Sequence, residues 1–546
     1  MAWTLIRRRA AKIRTTVVLL VAGVLGVAAA RAVTLCDHEV VLDGNGRLQP
    51  WTSYDNVLRY SENFIENCPT TPTVSGNDPW YLVTSKLNPD GTYMANQNCQ
   101  GSHAYWATQT LTKYYAYSGD TAAIQPVRKI LDRILQYQTP ATAAWANCPI
   151  TQDNTPDGQY TDSYSEPDKM AMVGSAYVAF YKLTGEQKYL NAAVGIANTL
   201  AQHVQPGDAS HSPLPFRVQV GTGVTTGAYT SDMVAPVRLF GDLMAVGQTG
   251  GGTYQAASDT LWNWVMTYPM KNNAWSGYYE DVNNNTTNLN QQVPMETARY
   301  ILQHPELDPN YKQDVPTLLN WVKQRFGQTE RYGATSIREQ DECFYEMSSH
   351  TSRYASVEAK WYGVLAEAGD PGAAAAREEA RASLALATYS AYNQYSTGGN
   401  GINYVGVGYA NPWFVDSYFD YMDHFLDAMK EMPELAPSDS DHILGSTSTI
   451  QSVTYRPGDV QYTTFDSSGQ EILRLCFVPL AVWADGQLLD PSQWIFGDYR
   501  GVPGVLIVNR ADAMAIEISS AVPEPTALAL LGVAAVVLSS RRRRAA

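Results

Sequence analysis

The sequence predicts a mainly α protein, a closed ring of paired helices followed by a small antiparallel β-sandwich. Three observations predict it. Short joints, most containing Gly, recur about every 60 to 66 residues. The segments they connect carry apolar residues at helical spacing. After Pro433 the chain changes character and becomes rich in Val, Tyr, Thr and Ile, with frequent turn residues.

The amino-terminal element is an export signal. Arg7, Arg8, Arg9, Lys12 and Arg14 precede an apolar run from Val17 to Ala30 and the sequence Ala30-Arg31-Ala32, which sets residues 1–32 as a signal peptide cleaved before Val33. The run is short for a bilayer-spanning anchor. Leu35 before Cys36 argues against lipoprotein processing.

Twelve helices follow from the periodicity. They run Tyr54 to Asn67, Ala104 to Ser118, Thr121 to Gln138, Asp168 to Thr184, Gln187 to His203, Ser231 to Gly247, Thr253 to Tyr268, Pro294 to His304, Tyr311 to Phe326, Thr351 to Ala368, Pro371 to Tyr392, and Trp413 to Met432. Tyr117-Ser118-Gly119-Asp120, Leu183-Thr184-Gly185-Glu186, Gln248-Thr249-Gly250-Gly251 and Glu367-Ala368-Gly369-Asp370 are the short joints. In each, Gly can close one helix in the left-handed conformation. A fifth joint, Pro305-Glu306-Leu307-Asp308-Pro309, lacks the Gly. Short joints alternate with long loops, so all the long loops fall on one face. Six hairpins in this order resemble the (α/α)6 toroid of the six-hairpin glycosidases; an open α-solenoid is the alternative arrangement. The ring occupies 33–435 and the β-sandwich 445–520, with a Pro/Ser/Asp linker between them.

The last element is a tail at 521–546. Val522-Pro523-Glu524-Pro525 leads into an apolar stretch from Ala527 to Leu538 and then Arg541 to Arg544. This arrangement resembles the PEP-CTERM sorting signal. The resemblance implies a transient membrane segment with its arginines cytoplasmic, processing by an exosortase-type enzyme, and a destination in the bacterial envelope or extracellular matrix.

The two ends hold ten of the 38 basic residues, and setting those aside leaves 28 against 53 acidic ones. So acidic a body repels nucleic acid, which is not expected as a partner. The chain is expected to act as a monomer. Six cysteines in an exported chain suggest disulfides, with Cys99 and Cys148 one pairing among several possible. No Cys/His cluster supports zinc, and Tyr164 stands where a calcium loop beginning at Asp153 needs a bidentate Glu. No metal or cofactor is expected.

In a closed ring, chemistry belongs at the long-loop face, where helix amino termini present unpaired N–H groups. Trp275-Ser276-Gly277-Tyr278-Tyr279-Glu280-Asp281 brings an aromatic platform, a flexible Gly and carboxylates into one loop, which makes Glu280 the first candidate for a general acid or base. Asp168 and Asp416 are candidates for the second carboxylate that glycoside hydrolysis requires. Trp275, Tyr278, Tyr279, Glu166, His103, Trp106, Arg217, His350, Arg353, Tyr354 and Trp413 complete the expected sugar-binding set. Glu296 and Arg299, three apart on one helix, read as an ion pair. The expected function is hydrolysis of glycosidic bonds in a poly- or oligosaccharide. Two alternatives stand beside it. One is uronate elimination or epimerisation, with His350, Arg353 and Tyr354 as base and carboxylate clamp; the other is a matrix protein that binds exopolysaccharide without turning it over.

Overall fold

The computed structural model describes residues 34–35, 38–67, 84–87, 93–97, 100–151, 164–279, 287–342, 346–391 and 417–521. The expected signal peptide, the tail after Ala521, Cys99, Glu280, Trp413 and Asp416 lie outside the described residues. Among the described residues no helix is long and apolar enough to cross a membrane.

Thirteen helices are described: α1 Tyr54–Asn67, α2 Gln100–Ser118, α3 Ile124–Gln136, α4 Pro167–Thr184, α5 Gln187–His203, α6 Val234–Ala245, α7 Thr253–Thr267, α8 Pro269–Asn272, α9 Gln292–Gln303, α10 Tyr311–Phe326, α11 Ser348–Glu367, α12 Ala373–Ala387 and α13 Ser417–Glu431. Helices α2, α4, α6, α9, α11 and α13 each pack against the next, and α13 packs back onto α2, so the inner ring closes. Each inner helix also carries an outer partner: α3 on α2, α5 on α4, α7 on α6, α10 on α9, α12 on α11 and α1 on α13. This is the (α/α)6 toroid; the open solenoid is excluded by the α13–α2 contact.

Sequence decides which helix goes inside. Fourteen of the eighteen residues of α4 are buried, so it needs partners on all sides, whereas α3 buries five of thirteen along a single stripe. Close approach inside the ring depends on small residues. A Cβ on Gly174 of α4 would sit 2.7 Å from Leu239 Cδ2 of α6. At the short joints Gly119, Gly185 and Gly369 have φ of 75°, 73° and 64°, the left-handed turn that ends a helix without a Cβ clash. The Gly185 N–H donates to the Tyr181 carbonyl at 2.7 Å.

α6 starts three residues later than its apolar pattern predicts. The Ser231 N–H donates to the Ser276 carbonyl at 2.9 Å, which ties the chain before α6 to the 275–279 segment instead of to a helical turn. The expected Cys99–Cys148 disulfide is corrected: Cys148 is a free thiol, completely buried, and burial pushes its pKa up to about 12.

The carboxy-terminal module is two antiparallel sheets. One has the order His442–Ser446, Gly469–Arg474, Val502–Arg510, Trp494–Tyr499; the other has the order Ile450–Arg456, Asp459–Thr464, Ala515–Ser519, Ala481–Ala484, Gln487–Leu488. Between the sheets Arg510 and Glu471, both fully buried, pair at 2.7 Å, and Tyr462 and Ser446 hydroxyls donate to the same carboxylate at 3.1 and 3.0 Å. The module sits under the short-joint end of the ring and caps orphan helix carbonyls there. His442 Nδ1 bonds the Tyr117 carbonyl at 2.9 Å while its ring stacks on Tyr117, and Gln451 Nε2 donates to the Lys182 carbonyl at 2.7 Å. Arg500 donates to the Glu431 carbonyl at 3.1 Å and pairs with Glu367 at 3.0 Å.

Candidate active site

The opposite end of the ring, where the inner helices begin, holds a narrow cleft of about 20 Å³. Tyr105 and Trp106 of α2, Ser175 of α4, Asp232 and Arg238 at α6, Tyr278, and Gln292 and Glu296 of α9 line it. It is a space on the scale of a single water, walled by carboxylates, a guanidinium and aromatic faces.

Two carboxyls meet at this end. Asp168 falls in the first turn of α4, one residue after Pro167, and is completely buried. Lys169 Nζ holds it at 2.9 Å, donates to the Tyr278 carbonyl at 2.6 Å and lies 3.7 Å from the centre of the Tyr278 ring. Burial nevertheless pushes the Asp168 carboxyl up, against the pull of Lys169. Asp232, 5% exposed, lies just before α6. Burial first, and the neighbouring Asp168 charge second, push its pKa up to about 7. Both carboxyls are thus held above the ordinary carboxylate range, Asp232 to about 7.

Below these acids a chain of alternating charges fills the ring axis. Glu296 pairs with three guanidinium groups, accepting a hydrogen bond from Arg299 Nε at 3.4 Å and lying 3.3 Å from Arg353 and 3.7 Å from Arg238. Burial alone would raise its pKa, but Arg299, Arg238 and Arg353 together hold it below the usual range, so Glu296 stays ionised. Arg353 also pairs with Asp420, and Arg299 with Asp427. His424 accepts from Arg299 through Nδ1 at 3.1 Å and donates from Nε2 to Asp420 at 3.1 Å, which fixes its tautomer. Burial and two arginines keep that imidazole neutral. Lys113 bridges Asp423 and Asp427 at 2.7 Å each. Such a network orients side chains, while Arg238 Nη2, on the cleft wall, is left without a hydrogen-bond partner.

The structure distributes the sequence candidates unevenly. Asp168, Glu166, Tyr278 and Trp106 come together at the mouth of the ring, with His103 buried in the first turn of α2. Arg217, on the strand Arg217–Gln219, holds Glu166 through Nε at 3.1 Å and Nη2 at 2.8 Å, so it anchors the start of α4. Tyr279 donates its hydroxyl to the Gln291 amide oxygen at 3.2 Å, and the same oxygen accepts from His350 Nδ1 at 2.8 Å and Arg353 at 3.3 Å.

Three expectations are corrected. Trp275 is fully buried and packs in the core, so it offers no stacking platform. Gly277 is not a flexible link: its φ is 70° and a Cβ would collide with the Tyr229 carbonyl oxygen, so the position needs Gly for a fixed close approach. Tyr354 leaves the His350 and Arg353 constellation and instead donates to Glu358 at 3.0 Å and to Glu379 of α12 at 3.2 Å, facing the outer layer. Glu296 and Arg299 form the expected pair. Asp232, Arg238, Asp420 and His424 were not singled out from sequence. Asp420, Asp423, His424 and Asp427 do carry a signal, since they repeat three and four apart along an otherwise apolar, aromatic helix.

Comparison with known proteins adds one assignment at the carboxy terminus, where residues 521–544 match the family model of the PEP-CTERM protein-sorting motif. The chain carries a PEP-CTERM tail. That motif indicates export, sorting to the envelope and processing by an exosortase. No curated protein matches the chain. Its structural neighbours are six-hairpin glycosidase-like enzymes. A sugar epimerase from a ruminal bacterium is 10% identical with a TM-score of 0.48, covering 67% of this PEP-CTERM chain and 96% of its own. The unsaturated glucuronyl hydrolase of Bacillus sp. GL1 is 12% identical with a TM-score of 0.48, covering 70% and 97%. A family 76 glycoside hydrolase from a bovine Bacteroides thetaiotaomicron strain is 10% identical with a TM-score of 0.48, covering 70% and 78%.

Proposed function

We propose that this protein is an exported carbohydrate-active enzyme that hydrolyses glycosidic bonds of an envelope or matrix glycan. The observation that carries the reading is Asp232, a buried carboxyl with a pKa of about 7 in the cleft at the mouth of a closed helical ring. A carboxyl that holds its proton near neutrality is suited to protonate a leaving glycosidic oxygen. Asp168 is the partner carboxylate on the opposing helix, and its charge helps to raise the pKa of Asp232. Glu280 and Asp416 are the sequence candidates for the same second role. Trp106 and Tyr278 supply faces for sugar packing, with Tyr279, Glu166, His103, Arg217, His350, Arg353 and Trp413 as the surrounding set.

Elimination or epimerisation of a uronate has one observation in its favour. Burial and the adjacent Arg353 keep His350 neutral, as a base must be. Against it, Arg353 is already paired with Glu296 and Asp420 and so is not placed to neutralise a uronate.

In this reading, residues 33–435 form the catalytic ring, 445–520 an accessory module and 1–32 the export signal. The stretch from Ala527 to Leu538 with Arg541 to Arg544 is a membrane segment present until processing. The mature protein acts alone as a monomer on a glycan. Incubation with a panel of neutral and acidic polysaccharides, read by mass spectrometry, tests the reaction class. Wild type releases saturated sugars, and Asp232→Asn releases them about 10²- to 10⁴-fold more slowly. Unsaturated products absorbing in the ultraviolet, or bound glycan with no product at all, overturn hydrolysis.

A further inference from the structure

The ring has a second and much larger cavity at its other end, where the inner helices finish. It holds about 690 Å³, inside the range of about 300–1,000 Å³ typical of pockets for small organic ligands, and it shares no lining residue with the Asp232 cleft. Five of the six inner helices wall it, α2, α4, α9, α11 and α13, and the module floors it with residues 443–450 and Asp466. Gln303, Glu367 and Thr447 on its lining are exposed, so it opens to solvent there.

The charges on the wall are unevenly satisfied. All four acids are engaged: Asp427 by Lys113 at 2.7 Å and by Arg299, Glu367 by Arg500 at 3.0 Å, Glu431 by the same guanidinium, and Asp466 by the Ser448 hydroxyl at 2.7 Å. Three of the four lysines are not. Lys182 and Lys430, both half-buried, make no hydrogen bond or ion pair among the described residues, and Lys360 has only Asp427 at 3.7 Å. A basic residue in the last turn of a helix ordinarily serves that helix's terminal carbonyls. Here the module already does so, since Gln451 holds the Lys182 carbonyl and Arg500 the Glu431 carbonyl, and the two ammonium groups are surplus to capping. The stem of Lys430 runs past a bulge in the strand His442–Ser446, where a Cβ on Gly445 would sit 2.9 Å from Lys430 Cγ and Cδ. Helices α13, α2 and α4 are consecutive in the ring, so Lys430, Gln109 and Lys182 line one arc of the wall. The Gln109 amide and the Thr449 hydroxyl, also on the lining, have no partner among the described residues either.

We propose that this cavity binds an acidic oligosaccharide, whose carboxylates pair with Lys182 and Lys430 and whose hydroxyl groups meet Gln109 and Thr449. The unmet capacity of the wall is cationic, amide and hydroxyl together, which suits a ligand carrying both negative charge and many hydroxyl groups. Burial pulls the Lys360 ammonium below its ordinary pKa, a cost that a bound carboxylate relieves. Among the described residues no aromatic side chain lines the cavity, so charge and hydrogen bonds supply the affinity in place of ring stacking. Ring and module both contribute contacts, so the bound sugar ties one to the other. Binding here does not depend on the reaction at Asp232.

Titration calorimetry of the full chain with digalacturonate at low salt tests the site, beside Lys182→Gln, Lys430→Gln and Asp232→Asn. Wild type is expected to bind the disaccharide, Asp232→Asn to bind it equally well, and each lysine variant to bind it about tenfold or more weakly, as the loss of a charge-assisted hydrogen bond implies. Neither ammonium has a partner in the fold, so both lysine variants should keep the wild-type melting temperature. A lowered melting temperature in both would give the lysines a structural role and overturn the proposal. Binding that survives both lysine substitutions but fails in Asp232→Asn puts the disaccharide in the cleft and overturns it as well. Equal binding of neutral cellobiose, or of inorganic phosphate, also contradicts it, because the first dispenses with the charge and the second with the sugar. No binding of digalacturonate by wild type ends it outright.

Discussion

Asp232 is buried among groups that make its charge expensive, and two consequences follow at the scale of one side chain. Its pKa of about 7 lies above the ordinary 3.8, so between those values the folded state keeps a proton that the unfolded state has released. The stability this contributes is present at low pH and fades as pH rises through about 7. Asp232→Asn removes the ionisation, and its unfolding free energy, measured in urea at pH 5 and pH 8, should vary less with pH than that of wild type. The same substitution should lower turnover by about 10²- to 10⁴-fold, the range for loss of a general acid. Trp275 separates a structural role from a binding one. Because its indole is fully buried, Trp275→Ala should cost about 3–5 kcal/mol of stability in denaturant titrations. A weakened glycan affinity at unchanged stability would restore the stacking role. Sequence singled out the 275–279 segment, whose Tyr278 lines the cleft, but not Asp232 on the same cleft wall. Adjacent aromatics in a loop look alike whether they line a cleft, as Tyr278 does, or fill a core, as Trp275 does, and only their place in the fold tells them apart. A lone Asp before a helix likewise reads as a cap until its neighbours are known.

At the scale of elements, the helices were legible because each joint states its own chemistry. The positive φ at Gly119, Gly185 and Gly369 falls where the short joints were expected, and α1, α5 and α10 begin and end at their predicted residues. Inner and outer helices were harder to assign, since α4 shows no polar face to orient it, and only packing on both sides explains its composition. Gly174 is the element-scale test. A methyl there would press on Leu239 across the α4–α6 contact, so Gly174→Ala should destabilise by about 1–3 kcal/mol even though Ala is the better helix former. Thermal unfolding of that variant measures which effect wins, and a raised melting temperature would mean that α6 can move away.

Ring closure is a property of the whole molecule, and no single segment announces it. The repeat predicted six hairpins but could not say whether the last meets the first. The structure closes the ring with charge as well as with packing. Asp427 of α13 reaches Lys113 of α2 at 2.7 Å, Lys360 of α11 at 3.7 Å, and Arg299 of α9. Burial would raise its pKa, yet Lys113, Lys360 and Arg299 drive it well below the ordinary value, so it is ionised at every working pH. Asp427→Asn leaves buried cations short of a counter-charge and should cost about 3–5 kcal/mol. Calorimetry should show the loss as one lowered transition for the ring, because four inner helices share the site.

If the ring holds a protonated carboxyl at the reacting bond, the pH dependence of kcat/KM on a glycan that wild type cleaves will report its ionisation. The expected profile is a plateau below about pH 7 and a fall toward tenfold per pH unit above it, as Asp232 loses its proton. A rate that rises through pH 7, as a base being freed would give, contradicts it.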